Sequence, residues 1–567
     1  SEPFSFHSVF ITHLTLPSIY KYSKVYNRFL FLSNYFYLFL SLYIFNNFAI
    51  VFLTFSIFCF FHKIIDRKII IFYNILCKRY IAECSNLYKS IIGWTSLPTT
   101  VIVAYKSFSW TAKKTGDICP VVFLTVRHER TAADTRKKVT YMTQKTFALK
   151  GTIIWSESPT QLSIHENSYL VCENGVCAGV FPTLPEKFAE IPCRDTGDSI
   201  IIPGLTDLHL HAPQYSFRSI GMDLELLEWL NTLAFPEESK YADAEYADKA
   251  YSIFAEDLRK SATTRASIFA TLHVPATEHL MKLLNDTGIK ALVGKVNMNR
   301  NGATSLQEES AKASADATWK WVEETLNLYP NIKPILTPRF TPSCSDELMK
   351  ELGEIQRRFH LPVQSHLSEN LGEIAWVKEL CPDTDFYGEA YDKFGLFGGD
   401  GCPTIMAHCV HCPDDEIALM KERGVYIAHC SQSNSNLSSG IAPVRRYLEE
   451  GLHIGLGSDI AGGTSLSIFR AMSDAIQTSK LRWRLVDDSL KALTVEEVFY
   501  MATKGGGSFF GKVGSFAPGY EFDAVIMDDS ALLHPQPLSP KQRLERLIYL
   551  SDDRHIQGKY VSGVELF

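Results

Sequence analysis

The chain has 567 residues, 46% of them apolar and 21% charged, with 33 glycines and 25 prolines. That length excludes a peptide, a coiled coil or a lone small module, and that composition excludes collagen-like and wholly disordered chains. Charge divides unevenly: residues 1–141 carry 17 Lys and Arg against 6 Asp and Glu, whereas residues 142–567 carry 39 against 57, too acidic a body for a binder of nucleic-acid backbones.

Residues 29–61 form an uncharged run of 33, mostly Phe, Leu, Ile and Tyr, and a bilayer helix needs only about 20. The basic flank of Lys63, Arg67, Lys68, Lys78 and Arg79 would leave everything downstream in the cytoplasm. Against an anchor, all ten methionines lie at or after Met142, and seven polar residues interrupt the run without helical period. Residues 1–141 are therefore read as a hydrophobic, basic N-terminal extension, with translated non-coding sequence preferred over a membrane anchor. Thirteen cysteines at irregular spacings read as reduced thiols of a cytoplasmic protein.

From residue 142 the pattern changes. Residues 147–155 and 168–172 alternate as strands, with Glu173-Asn-Gly175 as a hairpin turn, and residues 522–527 are again strand-like. The expectation is a small β-sandwich domain built from both ends, 142–200 and 511–567, around a catalytic region at 201–510. Within that region eight short apolar runs, at 200–210, 266–273, 290–296, 333–340, 361–367, 403–410, 425–430 and 453–459, alternate with amphipathic stretches such as 311–328, 346–359 and 414–423. Eight βα units predict an α/β fold of the (β/α)8 TIM-barrel type, whose chemistry gathers at the C-terminal ends of the strands.

Those ends carry the informative residues. In a strand, positions i and i+2 share a face, so His209 and His211 present two imidazoles together. Three other runs end in His366, His408 and Asp459, and imidazoles with a carboxylate around an open position suit a catalytic Zn²⁺, with Fe²⁺ of similar ligand preference. Glu369, three residues past His366, reads as a proton carrier rather than a ligand. Other residues read as structural: Cys409 and Cys412 lack a second pair at zinc-ribbon spacing, Lys295, His273 and His429 are assigned packing or supporting roles, and Gly505-Gly-Gly507 is a helix-stop loop.

The segments His211-Ala-Pro-Gln-Tyr215, Thr337-Pro-Arg-Phe340, Gln364-Ser-His-Leu-Ser-Glu-Asn370, Ser433-Asn-Ser-Asn-Leu-Ser-Ser-Gly440 and Gly455-Leu-Gly-Ser-Asp-Ile-Ala-Gly-Gly463 carry a resemblance. Over residues 147–528 the chain resembles the guanine deaminase family of the amidohydrolase superfamily. The resemblance implies hydrolysis of guanine to xanthine and ammonia by a homodimer holding one Zn²⁺ per subunit. It implies His209, His211, His366 and Asp459 as ligands, and Glu369, His408 and Asp459 as the catalytic set. Gln214, Arg339 and Phe340, beside His211 and His366, would bind the purine. The rival is deamination of another heterocycle, such as 8-oxoguanine, a pterin or a triazine; Gln214 and Arg339 favour guanine. The chain departs from the family pattern at Ser431-Gln432, Ser458 and Ile460, which puts loop geometry in question.

Overall fold

The computed structural model describes residues 104–111, 118–125, 146–302, 306–399 and 401–567. Two compact units divide the chain, residues 1–138 and 139–567. In the first, β1 (Ala104–Thr111) pairs antiparallel with β2 (Ile118–Thr125). The uncharged run at 29–61 and Met142 lie outside the described residues. Among the described residues no helix is long and apolar enough to cross a membrane, and the cysteines are free.

The second unit opens with β3 (Thr146–Ser158), β4 (Gln161–Glu173), β5 (Val176–Phe181) and β6 (Cys193–Pro203). Between β4 and β5 the expected hairpin turn forms, with Asn174 at φ 55° and Gly175 at φ 82°, the left-handed pair that such a turn demands. The parallel strands follow: β7 (Leu205–His211), β8 (Thr263–Phe269), β9 (Lys290–Gly294), β10 (Val296–Asn297), β11 (Ile332–Pro334), β12 (Thr337–Pro338), β13 (Val363–Leu367), β14 (Thr404–His408), β15 (Tyr426–His429) and β16 (His453–Leu456). The chain then returns through β17 (Ala524–Met527), β18 (Ile556–Val561) and β19 (Val564–Glu565).

Both chain ends do build one β-structure, but it is a single seven-stranded sheet, ordered β19-β18-β17-β6-β3-β4-β5, rather than the expected sandwich. The physical reason lies in β3, whose 13 residues pair with β4 on one side and β6 on the other while β17 bonds directly onto β6, so the strands join edge to edge. Register shifts at Gly151/Ile153 and Ser156/Ser158 mark bulges in β3, which bend a strand. Alternation then buries both faces of β6: Ile201 packs with Phe147, Trp155 and Phe522, while Ile200 and Ile202 join the main core.

The run predicted as one strand at 200–210 is two. Gly204 separates β6 from β7, and a Cβ there would lie 2.2 Å from Thr264 Oγ1, so only glycine lets the backbone pass. The eight-run pattern otherwise maps onto two four-stranded parallel sheets, β11-β9-β8-β7 and β13-β14-β15-β16, plus the short pair β10-β12. Backbone bonds cross both seams. Leu336 and Gln364 link the sheets on one side, Gln364 N to Leu336 O at 2.9 Å, and Asp459 N donates to His209 O at 2.8 Å on the other.

Helices Asp346–Phe359 and Asp414–Arg423 have the expected bounds, and Ala311–Thr325 stops short of residue 328. Ser345 caps the first of these by accepting from Leu348 N, with Asp346 and Glu347 in its first turn and Arg357 and Arg358 in its last, all complementing the helix dipole. The Gly505-Gly-Gly507 segment is helical rather than a stop loop. Its glycines serve close approach, since a Cβ on Gly505 would sit 2.8 Å from Ile454 O on β16.

Candidate active site

β7 ends in His209 and His211, β13 in His366 followed by Glu369, β14 in His408, and the turn after β16 carries Asp459. Parallel strands deliver these residues to one end of the sheets, and all are buried except His366, which is partly exposed. Backbone strain concentrates at the same ends: Ser368, His408 and Asp459 hold φ of 47°, 73° and 44°, a region that non-glycine residues occupy at a cost and chiefly at functional sites.

The ligand atoms converge. His211 Nε2 and His366 Nε2 lie 3.2 Å apart, His209 Nε2 is 3.2 Å and His211 Nε2 3.6 Å from Asp459 Oδ1, and His408 Nε2 is 3.8 Å from Asp459 Oδ2. Both nitrogens of His209 and Nδ1 of His211 are buried without a hydrogen-bond partner. Orphaned buried imidazole nitrogens are costly unless something binds them, so the donor set fits a cation. Burial, reinforced by His209, holds the His211 and His366 imidazoles well below the usual range and keeps them neutral with lone pairs available. Burial works against ionisation of Asp459, but His209, His408 and His211 outweigh it and hold the carboxyl well below its usual range.

Glu369 and His408 face one another, Oε2 to Nε2 at 3.4 Å. Burial pushes the Glu369 carboxyl up, while the Glu369 and Asp459 carboxylates raise His408 against its own burial. Ser439 Oγ donates to Glu369 Oε1 at 2.9 Å, and His408 Nδ1 meets Asn434 Oδ1 at 2.8 Å. Glu373 stands behind Glu369, accepting from Glu369 N at 3.1 Å and Tyr387 OH at 2.9 Å, its carboxyl pushed up to about 7 by burial and by Glu369.

One cavity joins these groups to the expected purine-reading residues, lined by His211, Gln214, Arg339, Phe340, His366, Glu369, His408 and Asp459 together with Leu226, Trp229 and Leu437. Phe340 forms a wall, its ring backed edge-on by Trp376 at 6.2 Å. Gln214 and Arg339 converge on a residue that sequence reasoning missed: buried Glu238 takes both guanidinium Nη atoms, at 2.5 and 3.0 Å, and Gln214 Nε2 at 2.8 Å.

The residues read as structural stay apart from the ligand set. Lys295 is buried in an ion pair with Glu308, and among the described residues the groups of converging ligand atoms include neither His273, His429, Cys409 nor Cys412. At the departures from pattern, Ser458 binds the Asp207 carboxylate through its N–H at 3.0 Å and Oγ at 2.5 Å, while Asp207 also accepts from His209 N at 3.2 Å. Ser431 and Gln432 begin a short helix, Ser431–Asn436, and the Gln432 amide ties Thr464 to Asp474.

The amidohydrolase family model matches residues 200–566. A guanine deaminase from Dictyostelium discoideum is 37% identical over 439 residues, 73% of this chain and 96% of that protein, and a probable guanine deaminase from Schizosaccharomyces pombe is 39% identical over 382 residues, 65% and 72%. The crystal structure of guanine deaminase from C. acetobutylicum, with guanine bound in its active site, is 48% identical and superposes with a TM-score of 0.72, covering 74% of this chain and all of that one. The chain belongs to the amidohydrolase family of metal-dependent hydrolases. Within that family its relatives at 37 to 39% identity are guanine deaminases, and it groups with them.

Proposed function

We propose that this chain is an enzyme that hydrolyses guanine to xanthine and ammonia, with His209, His211, His366 and Asp459 holding one Zn²⁺. The observation that carries the reading is the single cavity in which converging imidazoles, the Glu369 carboxyl and the Arg339–Gln214 pair meet. When bound, the metal supplies a water acidified toward pKa ~7 at neutral pH. Glu369, through Oε2, takes one proton from the attacking water and passes it to the ring nitrogen beside the amino-bearing carbon, then takes the remaining proton from the hydroxyl now on that carbon and delivers it to the amine, which leaves as ammonia while the carbonyl of xanthine forms. Ser439 fixes the Glu369 rotamer through Oε1, which leaves Oε2 free for that traffic. His408, anchored by Asn434, orients the water through Nε2. Arg339 donates to the guanine carbonyl and ring nitrogens, Gln214 reads the adjacent edge, and Phe340 packs on the ring face.

Other readings complete the proposal. The two parallel sheets, bonded across both seams, act as a (β/α)8 barrel spanning 201–510, with segments 142–200 and 511–567 as its companion domain. The working form is a cytoplasmic homodimer, for which the exposed Leu481, Leu485 and Val486 offer apolar contact surface. The test is a metal assay on the purified protein coupled to guanine consumption and xanthine appearance. About one zinc per chain with stoichiometric xanthine is expected. Fully metallated protein that leaves guanine untouched but deaminates a pterin or a triazine would overturn the substrate.

A further inference from the structure

We propose that Glu238, which lies outside the cavity lining, is a positioning residue that sets guanine specificity by presenting Arg339 and Gln214 in one fixed orientation; this rests on the proposed guanine-binding roles of those two residues. Glu238 sits in the helix Phe235–Ser239 and is 1% exposed. Its Oε2 accepts from Arg339 Nη1 at 2.5 Å, and its Oε1 accepts from Arg339 Nη2 at 3.0 Å and Gln214 Nε2 at 2.8 Å. The Phe235 ring lies 5.0 Å from the same guanidinium, so one short helix holds the arginine by its edge and its face.

The carboxylate also decides which way the Gln214 amide points. A carboxylate only accepts, so the NH₂ end must face Glu238, and the opposite end accepts from Ala461 N at 3.2 Å. Each purine-reading group therefore spends part of its hydrogen-bonding capacity on the protein. Arg339 keeps three of its five N–H groups, and Gln214 keeps one N–H and one lone pair. A fixed remainder discriminates, because a ligand presenting a donor where an acceptor is needed leaves buried groups unpaired.

The platform is rigid. Glu237, on the same helix, accepts from Ser216 Oγ at 2.6 Å and from Tyr246 OH, and Tyr241 OH donates to Pro213 O at 2.9 Å. The Ser216–Glu237 bond pins the Glu238 helix directly to the Ala212–Phe217 turn that carries Gln214, and Tyr241, just past the helix, adds a second tie to that turn.

The experiment compares Glu238→Gln and Glu238→Asp with wild type, reading KM and kcat for guanine, metal content and melting temperature. An amide at 238 turns one acceptor into a donor facing Arg339 or Gln214. Glu238→Gln should raise KM about 10- to 100-fold, the size of a lost charge-assisted hydrogen bond, with kcat within about threefold and metal content unchanged. Glu238→Asp, which keeps the charge, should recover part of the loss. In an Arg339→Gln/Gln214→Ala background the effect of Glu238→Gln on KM should nearly vanish. Wild-type KM in Glu238→Gln, or a KM penalty that persists in full in that background, would overturn the inference. Failure of the wild-type protein to consume guanine would instead overturn the function on which it rests.

Discussion

The carbonyl oxygen of Arg339 lies 2.6 Å from Nδ1 of His366. A carbonyl only accepts, so this bond places the imidazole proton on Nδ1 and leaves the Nε2 lone pair facing His211 Nε2 at 3.2 Å. One residue thus serves both halves of the site, its backbone orienting a metal-binding imidazole and its side chain reaching toward the substrate.

That division predicts how the two functions separate. Arg339→Ala removes the guanidinium but keeps the carbonyl, so bound metal should stay at the wild-type level while kcat/KM for guanine falls by two or more orders of magnitude, about the discrimination a site built for hydrogen bonds can lose. Adenine, with an amino donor where guanine has its carbonyl, should remain the poorer substrate of the wild-type protein. Measuring metal by mass spectrometry and rates on guanine and adenine decides it; equal guanine efficiency in both proteins would remove Arg339 from recognition.

Glu369→Gln should keep metal and guanine binding and lose about 10²- to 10⁴-fold in kcat, because the amide copies the shape of the carboxyl without carrying a proton. Binding of a non-reactive purine, measured by calorimetry, should be unchanged. Turnover near wild type would transfer the proton role elsewhere, with Glu373 the nearest carboxyl behind it.

Ser439→Ala tests the orientation of that carboxyl. Its hydroxyl is the 2.9 Å donor to Glu369 Oε1, and a hydrogen bond to a charged group contributes about 1.5–3 kcal/mol. A drop in kcat of about 10-fold or more, with metal content and KM little changed, is expected from steady-state rates. An unchanged kcat would show that burial alone fixes the Glu369 rotamer.

The parts of the site that follow local rules were legible in the sequence. His209 and His211 share a face because strand residues two apart do, and His366, His408 and Asp459 stood at the ends of apolar runs that became β13, β14 and the turn after β16. Long-range pairing is another matter. Glu238 meets Arg339 across 101 residues and Ser439 meets Glu369 across 70, and nothing in the local pattern around Glu238 or Ser439 announces either partner. The break at Gly204 was hidden for a related reason: residues 200–210 are buried throughout in both β6 and β7, and apolar residues stand on both sides of the glycine, so hydrophobicity could not separate the strands.

The junction between the seven-stranded sheet and the parallel strands should be the acid-labile part of the fold. Arg265 on β8 is buried and binds Asp523 through Nε at 2.6 Å and Nη2 at 3.0 Å, and Glu521 through Nη2 at 2.8 Å; Lys290 on β9 adds a contact to Glu521 at 2.7 Å. Ser562 closes the network, donating through its N–H to Asp523 and through Oγ to Glu521. Arg265→Met would leave the fully buried Asp523 carboxylate without its counter-charge, a loss of about 3–5 kcal/mol in urea denaturation, while Glu521→Gln, at a side chain about 35% exposed, should cost far less. For Glu521, burial acts to raise the carboxyl, but Arg265 and Lys290 outweigh it and hold it at about 2. A carboxyl depressed in the folded state binds fewer protons than in the unfolded chain, so its contribution is complete above the unfolded value near 4.5 and fades as pH falls toward 2. Urea midpoints for wild type should therefore decline over that window more steeply than those of Glu521→Gln, which lacks the titrating group. Parallel declines would show that this network does not set the acid limit.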